Sequence, residues 1–240
     1  MTIPYVLMVL SYWLFLTGVI FLAGALFSRF IVTGPSGADV CVIEGGKRCF
    51  GETASVVIFL SALFTFVFNL IHLVFHASVM TETPLTGVFP ILPIFLVKTK
   101  YGQLILIRTI LLLPLIIVAF LTIRRPRLWL ALSGIALSFS IVVTLSISGH
   151  QGVNGYFNLP VVTDTLHITA AAPWIGGIFF IRLCYSFLLK AGGRDLWGVF
   201  PDLINRFSNL ATYCVYVAGV TGIVLVFFRV KDFEVLTGTT

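Results

Sequence analysis

The sequence predicts an all-α polytopic membrane protein, a single transmembrane domain over residues 1–240 with about six helices. Of its 240 residues, 59% are hydrophobic and only 10% are charged. Soluble domains carry charge on roughly a quarter of their residues, and the mean hydropathy of this chain is +1.09. A water-soluble fold of this size could not bury so much apolar surface, so the solvent must be lipid. The composition excludes a disordered chain, a secreted disulfide scaffold and an ordinary cytosolic enzyme.

Six apolar segments are long enough to cross the hydrocarbon, which takes about 20 helical residues. They are predicted at about residues 4–27, 54–79, 104–123, 129–149, 164–188 and 207–228. Because they lack the alternation of polar and apolar residues found in outer-membrane barrel strands, we expect helices. The first segment has no preceding basic region and no small-residue cleavage site, so we expect a retained helix.

The stretch from Pro84 to Val97 is also apolar, but it is predicted not to span. It has about 14 residues, too few to cross a bilayer, and Pro84, Pro90 and Pro93 interrupt it. We expect an interfacial or re-entrant segment.

The distribution of Lys and Arg predicts the orientation. Nine of them lie in or near the loops after the first, third and fifth spans: Arg29, Lys47, Arg48, Arg124, Arg125, Arg127, Lys190, Arg194 and Arg206. The positive-inside rule therefore puts both termini outside the cytoplasm. The formal charge of +6 does not indicate a nucleic-acid partner, because the basic residues lie in short loops. Arg108 and Arg182, near span ends, are expected to extend towards the interface.

The cysteines leave two interpretations open. Cys41 and Cys49 share a loop that the predicted topology puts inside, where thiols stay reduced. If they are bridged, either the loop folds back or the topology is inverted. Cys184 and Cys214 lie within spans and are expected to be packing residues.

The four histidines, His72, His76, His150 and His167, are the candidate metal ligands, since polar groups at membrane depth are costly. All four are expected in the outer leaflet. His72 and His76 are four residues apart and share one helix face, so they can chelate one ion. Imidazole suits copper, zinc, iron and nickel, and the thioether of Met80, one turn beyond His76, favours copper. The alternative is that each histidine only anchors the helix at the interface.

Asp164 precedes the fifth predicted span. It could orient His167 as a hydrogen-bond acceptor, or cap the helix; the cap is favoured because Asp often precedes an apolar helical run. Further along, Trp174, Gly176 and Gly177 indicate a close helix contact, since small residues let backbones approach.

Two other functional classes are open. A single haem could be held by His72 with His150 or His167, which would make the protein an electron-transfer subunit. Two stacked haems would need histidines in both leaflets, which the chain does not offer. The other class is a metal-free structural subunit of a larger membrane complex.

The segment from Ile147 to Gly177 resembles the core signature of the CopD/PcoD copper-resistance family. It has Gly-His at a helix end, then Asp-x-x-His-x-x-Ala-Ala-x-x-Trp-x-Gly-Gly. Two shorter stretches, Thr99 to Gln103 and Asn205 to Ser208 with the later Thr221-Gly222, are also similar to family motifs. The matching residues of the signature are His150, Asp164, His167, Trp174, Gly176 and Gly177; His72 and His76 depend on their spacing alone.

The resemblance implies an inner-membrane protein, not an enzyme, that moves copper between periplasm and cytoplasm. It also implies a soluble periplasmic CopC-type carrier as partner. The composition itself makes membrane lipid a partner, and a larger membrane complex is the partner expected for a structural subunit. Family members usually have further helices, so the chain is expected to be a short member or a truncated one. If translocation needs those helices, this chain binds or delivers copper only.

Overall fold

The computed structural model describes residues 3–32, 41–42, 48–124, 127–149, 158–191 and 200–229, and seven α-helices account for most of these residues. They are α1 (Ile3–Phe27), α2 (Phe50–Met80), α3 (Leu92–Lys98), α4 (Lys100–Arg124), α5 (Leu128–Ser148), α6 (Leu159–Ala191) and α7 (Phe200–Arg229). A π-helical turn, Ser28–Val32, extends α1. Two short antiparallel strands, β1 (Cys41–Val42) and β2 (Arg48–Cys49), precede α2, and their register pairs Cys41 with Cys49 along the backbone.

Six of the helices are long and apolar enough to cross a membrane within the described residues, which confirms the predicted all-α, six-span fold. Several begin before the predicted spans. Glu52 and Asp202 lie in the first turns of α2 and α7. An acidic residue there interacts favourably with the helix dipole, although it lies outside the apolar window. The sidedness of the termini stays a prediction.

The proline-rich stretch does not span, as predicted. It contains a 3₁₀ turn, Leu85–Gly87, and the short helix α3. At 1.5 Å per residue, the seven residues of α3 extend only about 10 Å. The backbone becomes extended at Thr99, whose hydroxyl accepts a hydrogen bond from the Gly102 N–H at 2.9 Å, and α4 begins at Lys100.

Helix α1 lies at the centre of the bundle, where it packs against α2, α5 and α6. Its Phe15, Leu22 and Leu26 belong to the main hydrophobic core. The close helix contact predicted at Gly176 is confirmed: a Cβ atom there would lie 2.8 Å from Gly24 Cα. Small residues thus allow α1 and α6 to cross at backbone distance.

Candidate metal site

The side chain of His72 is held between three helices and is only 2% exposed. Its Nδ1 atom lies 3.3 Å from the carbonyl oxygen of Met8 and 3.4 Å from Ser11 Oγ, both on α1. A carbonyl oxygen only accepts hydrogen bonds, so we assign the ring proton to Nδ1. The Nε2 atom, which then carries the lone pair, lies 2.9 Å from the hydroxyl of Tyr101 at the start of α4. Tyr101 therefore donates to His72 Nε2.

His76 lies beside His72, one turn further along α2. The two ring centroids are 5.3 Å apart, as expected for side chains on one helix face. The ring of His76 stacks on that of Tyr101, with centroids 3.8 Å apart and planes inclined by 16°. Phe95 of α3 contacts it from another side, at 6.1 Å. Met80 is 63% exposed, and its role as an accessory ligand stays a prediction.

A second group of candidates lies on α6. Asp164 and His167 both line a cavity of about 710 Å³ between α1, α4, α5 and α6. His167 Nδ1 lies 3.0 Å from the carbonyl oxygen of Ala218 and 3.2 Å from Thr221 Oγ1, both on α7. By the argument applied to His72, the proton is on Nδ1 and the lone pair on Nε2.

The two histidines are held by the same local arrangement. In each case one neighbouring helix presents a backbone carbonyl and, three residues later, a hydroxyl to Nδ1: Met8 with Ser11, and Ala218 with Thr221. The Ser11 hydroxyl donates to the Met8 carbonyl at 2.9 Å, whereas the Thr221 hydroxyl donates to the Val217 carbonyl at 2.6 Å and lies 3.2 Å from the Ala218 carbonyl. Such a carbonyl–hydroxyl pair orients the ring and makes Nε2 the coordinating atom, as partners of metal-binding histidines commonly do.

The contacts of the histidines place these groups at one end of the bundle. His72, in the C-terminal third of α2, contacts the N-terminal half of α1 and the first turn of α4, and His167, in the N-terminal third of α6, contacts the C-terminal half of α7. Two tyrosines connect the surroundings of His72 with the cavity beside His167. Tyr12 and Tyr101 both contact the His72 ring, and both line that cavity.

The structure brings His72 together with His76, and Asp164 together with His167. Across the described ranges, no three His, Cys, Asp or Glu side chains form a group that could hold a metal. His150 lies outside the described residues. A site shared by all four histidines therefore stays a prediction.

The predicted cap at Asp164 is wrong. Helix α6 begins at Leu159, and the Asn158 side-chain oxygen accepts a hydrogen bond from the Val161 N–H at 2.8 Å. Asn158 is the cap, and Asp164 lies in the second turn. The span was predicted from about residue 164, and the helix begins five residues earlier.

The expectation that Arg108 extends to the interface is also wrong. Its side chain is completely buried. Nε donates to Thr144 Oγ1 at 3.1 Å, and Nη2 donates to Ser148 Oγ at 3.0 Å and to the Thr144 carbonyl at 3.3 Å. The guanidinium carbon lies 5.0 Å from the Phe15 ring centroid. Arg108 faces α5 and α1, where neutral acceptors are available. Arg182 is exposed, and its extension to the interface stays a prediction.

Sequence reasoning missed two residues beside His72, Tyr12 and Tyr101, and placed Arg108 wrongly. Tyr101 had a signal, since it lies in one of the short stretches similar to a family motif. Tyr12 had none, because aromatic residues are common throughout the chain, with 7 Tyr and 23 Phe.

The family model described as copper resistance protein D-like, N-terminal domain, matches residues 2–155. The matched range contains His72, His76 and His150, with Tyr101 and Arg108. No curated protein and no solved structure matches the chain.

Proposed function

The chain belongs to the copper resistance protein D-like family, and from that premise we propose that it binds copper and takes part in copper transport or homeostasis across the inner membrane. Its six spans make it a multi-pass membrane protein, consistent with the predicted inner-membrane location. The observation that carries the proposal is the pair of imidazoles on one face of α2 within the family-matched range. Their centroids are 5.3 Å apart.

The proposed ligands are the four histidines, with Asp164 and Met80 as accessory groups. Imidazole nitrogen is a good copper ligand, and in His72 and His167 the Nε2 atom is oriented by a hydrogen bond at the opposite ring nitrogen. Copper reaches the site from a periplasmic donor, a carrier of the CopC type, and moves by ligand exchange. No covalent chemistry is required, so we propose no enzymatic activity.

The cavity beside Asp164 and His167 supports a route for the metal. At about 710 Å³ it is far larger than one ion, and it lies at the histidine end of the bundle. Asp164 supplies a carboxylate in its wall, which attracts a cation. We propose that copper meets His150 and His167 here before it reaches His72 and His76.

Transfer towards the other side of the membrane would need a second group of soft ligands. Cys184 and Cys214 are buried thiols in the described core. They fit the packing role expected of them, and we assign them no metal.

The test is elemental analysis of the purified protein, with a visible spectrum of the same sample. We expect stoichiometric copper in the wild type, and its loss in His150→Ala and in His167→Ala. The control is Thr212→Ala, which removes an exposed hydroxyl that bonds only within α7. Unchanged copper content in the histidine variants would refute the proposed ligands.

The same experiment separates the two alternatives. A Soret band would favour the haem-binding electron-transfer subunit. A colourless, metal-free protein that still assembles into its membrane complex after all four histidines are replaced would favour the structural subunit.

A further inference from the structure

The lone pair on His72 Nε2 already accepts a hydrogen bond. A neutral imidazole has one lone pair, and the Met8 carbonyl assigns that lone pair to Nε2. The Tyr101 hydroxyl lies 2.9 Å away and donates to it. A metal ion needs the same lone pair, so it cannot bind His72 while this hydrogen bond persists.

Tyr101 also covers the second histidine. Its ring stacks on His76 at a centroid distance of 3.8 Å, and Phe95 packs on another side of the same imidazole. Tyr101 and Phe95 belong to one segment, the corner between α3 and α4 at Thr99. The corner between α3 and α4 therefore covers both His72 and His76.

The corner packs apart from the main core. Phe95 and Tyr101 belong to a separate apolar cluster with Leu73, Ala77 and Ile105, whereas α1, α5 and α6 contribute to the large cluster at the bundle centre. A shift of the corner disturbs this smaller cluster and one wall of the cavity, which has a lower cost than moving a spanning helix through the main core.

We propose that Tyr101 is a gate: it withholds His72 and His76 from copper until its hydroxyl releases His72 Nε2. The phenol keeps its proton, the hydrogen bond breaks, and copper takes the freed lone pair. A phenol oxygen is a poor partner for soft Cu(I), so Tyr101 is displaced and does not become a ligand. The inference depends on the proposed function, since it describes the control of the same histidines.

The first test compares Tyr101→Phe with the wild type in Cu(I) competition against a coloured chelator, with purified full-length protein under reducing conditions. Tyr101→Phe keeps the ring on His76 but removes the hydroxyl. We expect copper to bind roughly twofold to tenfold more tightly, the net value of one hydrogen bond. The gain should vanish in Tyr101→Phe combined with His72→Ala.

The control is Tyr12→Phe. Tyr12 also touches His72, with centroids 5.1 Å apart, and also lines the cavity. We expect no change in copper affinity. Equal affinity of Tyr101→Phe and wild type, or weaker binding, would overturn the gate while leaving copper binding intact.

A second measurement does not require copper. Diethyl pyrocarbonate acylates imidazole nitrogens that carry a free lone pair, and peptide mass spectrometry locates the product. In Tyr101→Ala, modification of His72 and His76 should rise severalfold relative to His167 in the same sample. An unchanged ratio would reject the gate even if the protein bound no copper, which would itself reject the proposed function.

Discussion

His72 and His167 have similar partners at Nδ1 but differ in the access to Nε2. Both present Nδ1 to a carbonyl and a hydroxyl three residues apart on a neighbouring helix, so both have Nε2 as the coordinating atom. At His72 that atom accepts a hydrogen bond from Tyr101, and the ring is 2% exposed. His167 lines a cavity of about 710 Å³. The residues that orient the His72 ring therefore differ from the residue that covers its Nε2 atom. The ring can be oriented for metal binding while Nε2 is still blocked by Tyr101.

The surroundings of His72 and those of His167 keep their relative position because α1 and α6 cross in contact. Of the changes predicted here, disrupting this crossing should lower the stability of the protein most. A side chain at Gly176 would collide with the Ile20 carbonyl and with Gly24. We expect Gly176→Leu to destabilise the protein by about 3 kcal/mol or more, since overpacking against backbone cannot be relieved by rotamer changes. Thermal unfolding in detergent and size-exclusion chromatography measure the loss.

Gly219→Ala is the matched control, because nothing lies within 4 Å of a Cβ atom there. It should behave as the wild type. A stable, monodisperse Gly176→Leu variant would mean that the crossing does not hold the two regions together.

Sequence patterns predicted the spans well and the site only in part. Hydropathy identifies lipid-facing helices because the apolar length is imposed by the bilayer. Helical spacing likewise predicted that His72 and His76 share a face. Neither signal reports which helix a side chain meets. The burial of Arg108 against α5 and the hydrogen bond of Tyr101 to His72 depend on tertiary packing, so no local pattern contains them.

Arg108 is relevant to both histidines because it connects two helices, α4 and α5, that line the cavity. Its hydrogen bonds to Thr144 and Ser148 tie α4, which carries Tyr101, to α5, whose Ser148 lines the cavity. We expect Arg108→Ala to lower the free energy of unfolding by about 3 kcal/mol, from lost packing and hydrogen bonds. Thermal unfolding in detergent tests this.

The matched control for Arg108→Ala is Arg182→Ala on the exposed surface of α6, which should shift stability by less than about 1 kcal/mol. If Arg108→Ala proved as mild as Arg182→Ala, the guanidinium would be at the interface and not between α4 and α5.

The smallest expected effects on copper affinity come from removing the two hydroxyls that face the Nδ1 atoms. These variants test whether His72 and His167 are oriented in the same way. In Ser11→Ala and Thr221→Ala the backbone carbonyl remains, so each histidine keeps one acceptor for its ring proton. We expect each variant to weaken copper binding by about 1 kcal/mol or less, measured by chelator competition. Because the two arrangements are alike, the two losses should be similar. A large loss in only one variant would show that the other histidine is oriented by different groups, and the shared arrangement would then have no functional meaning.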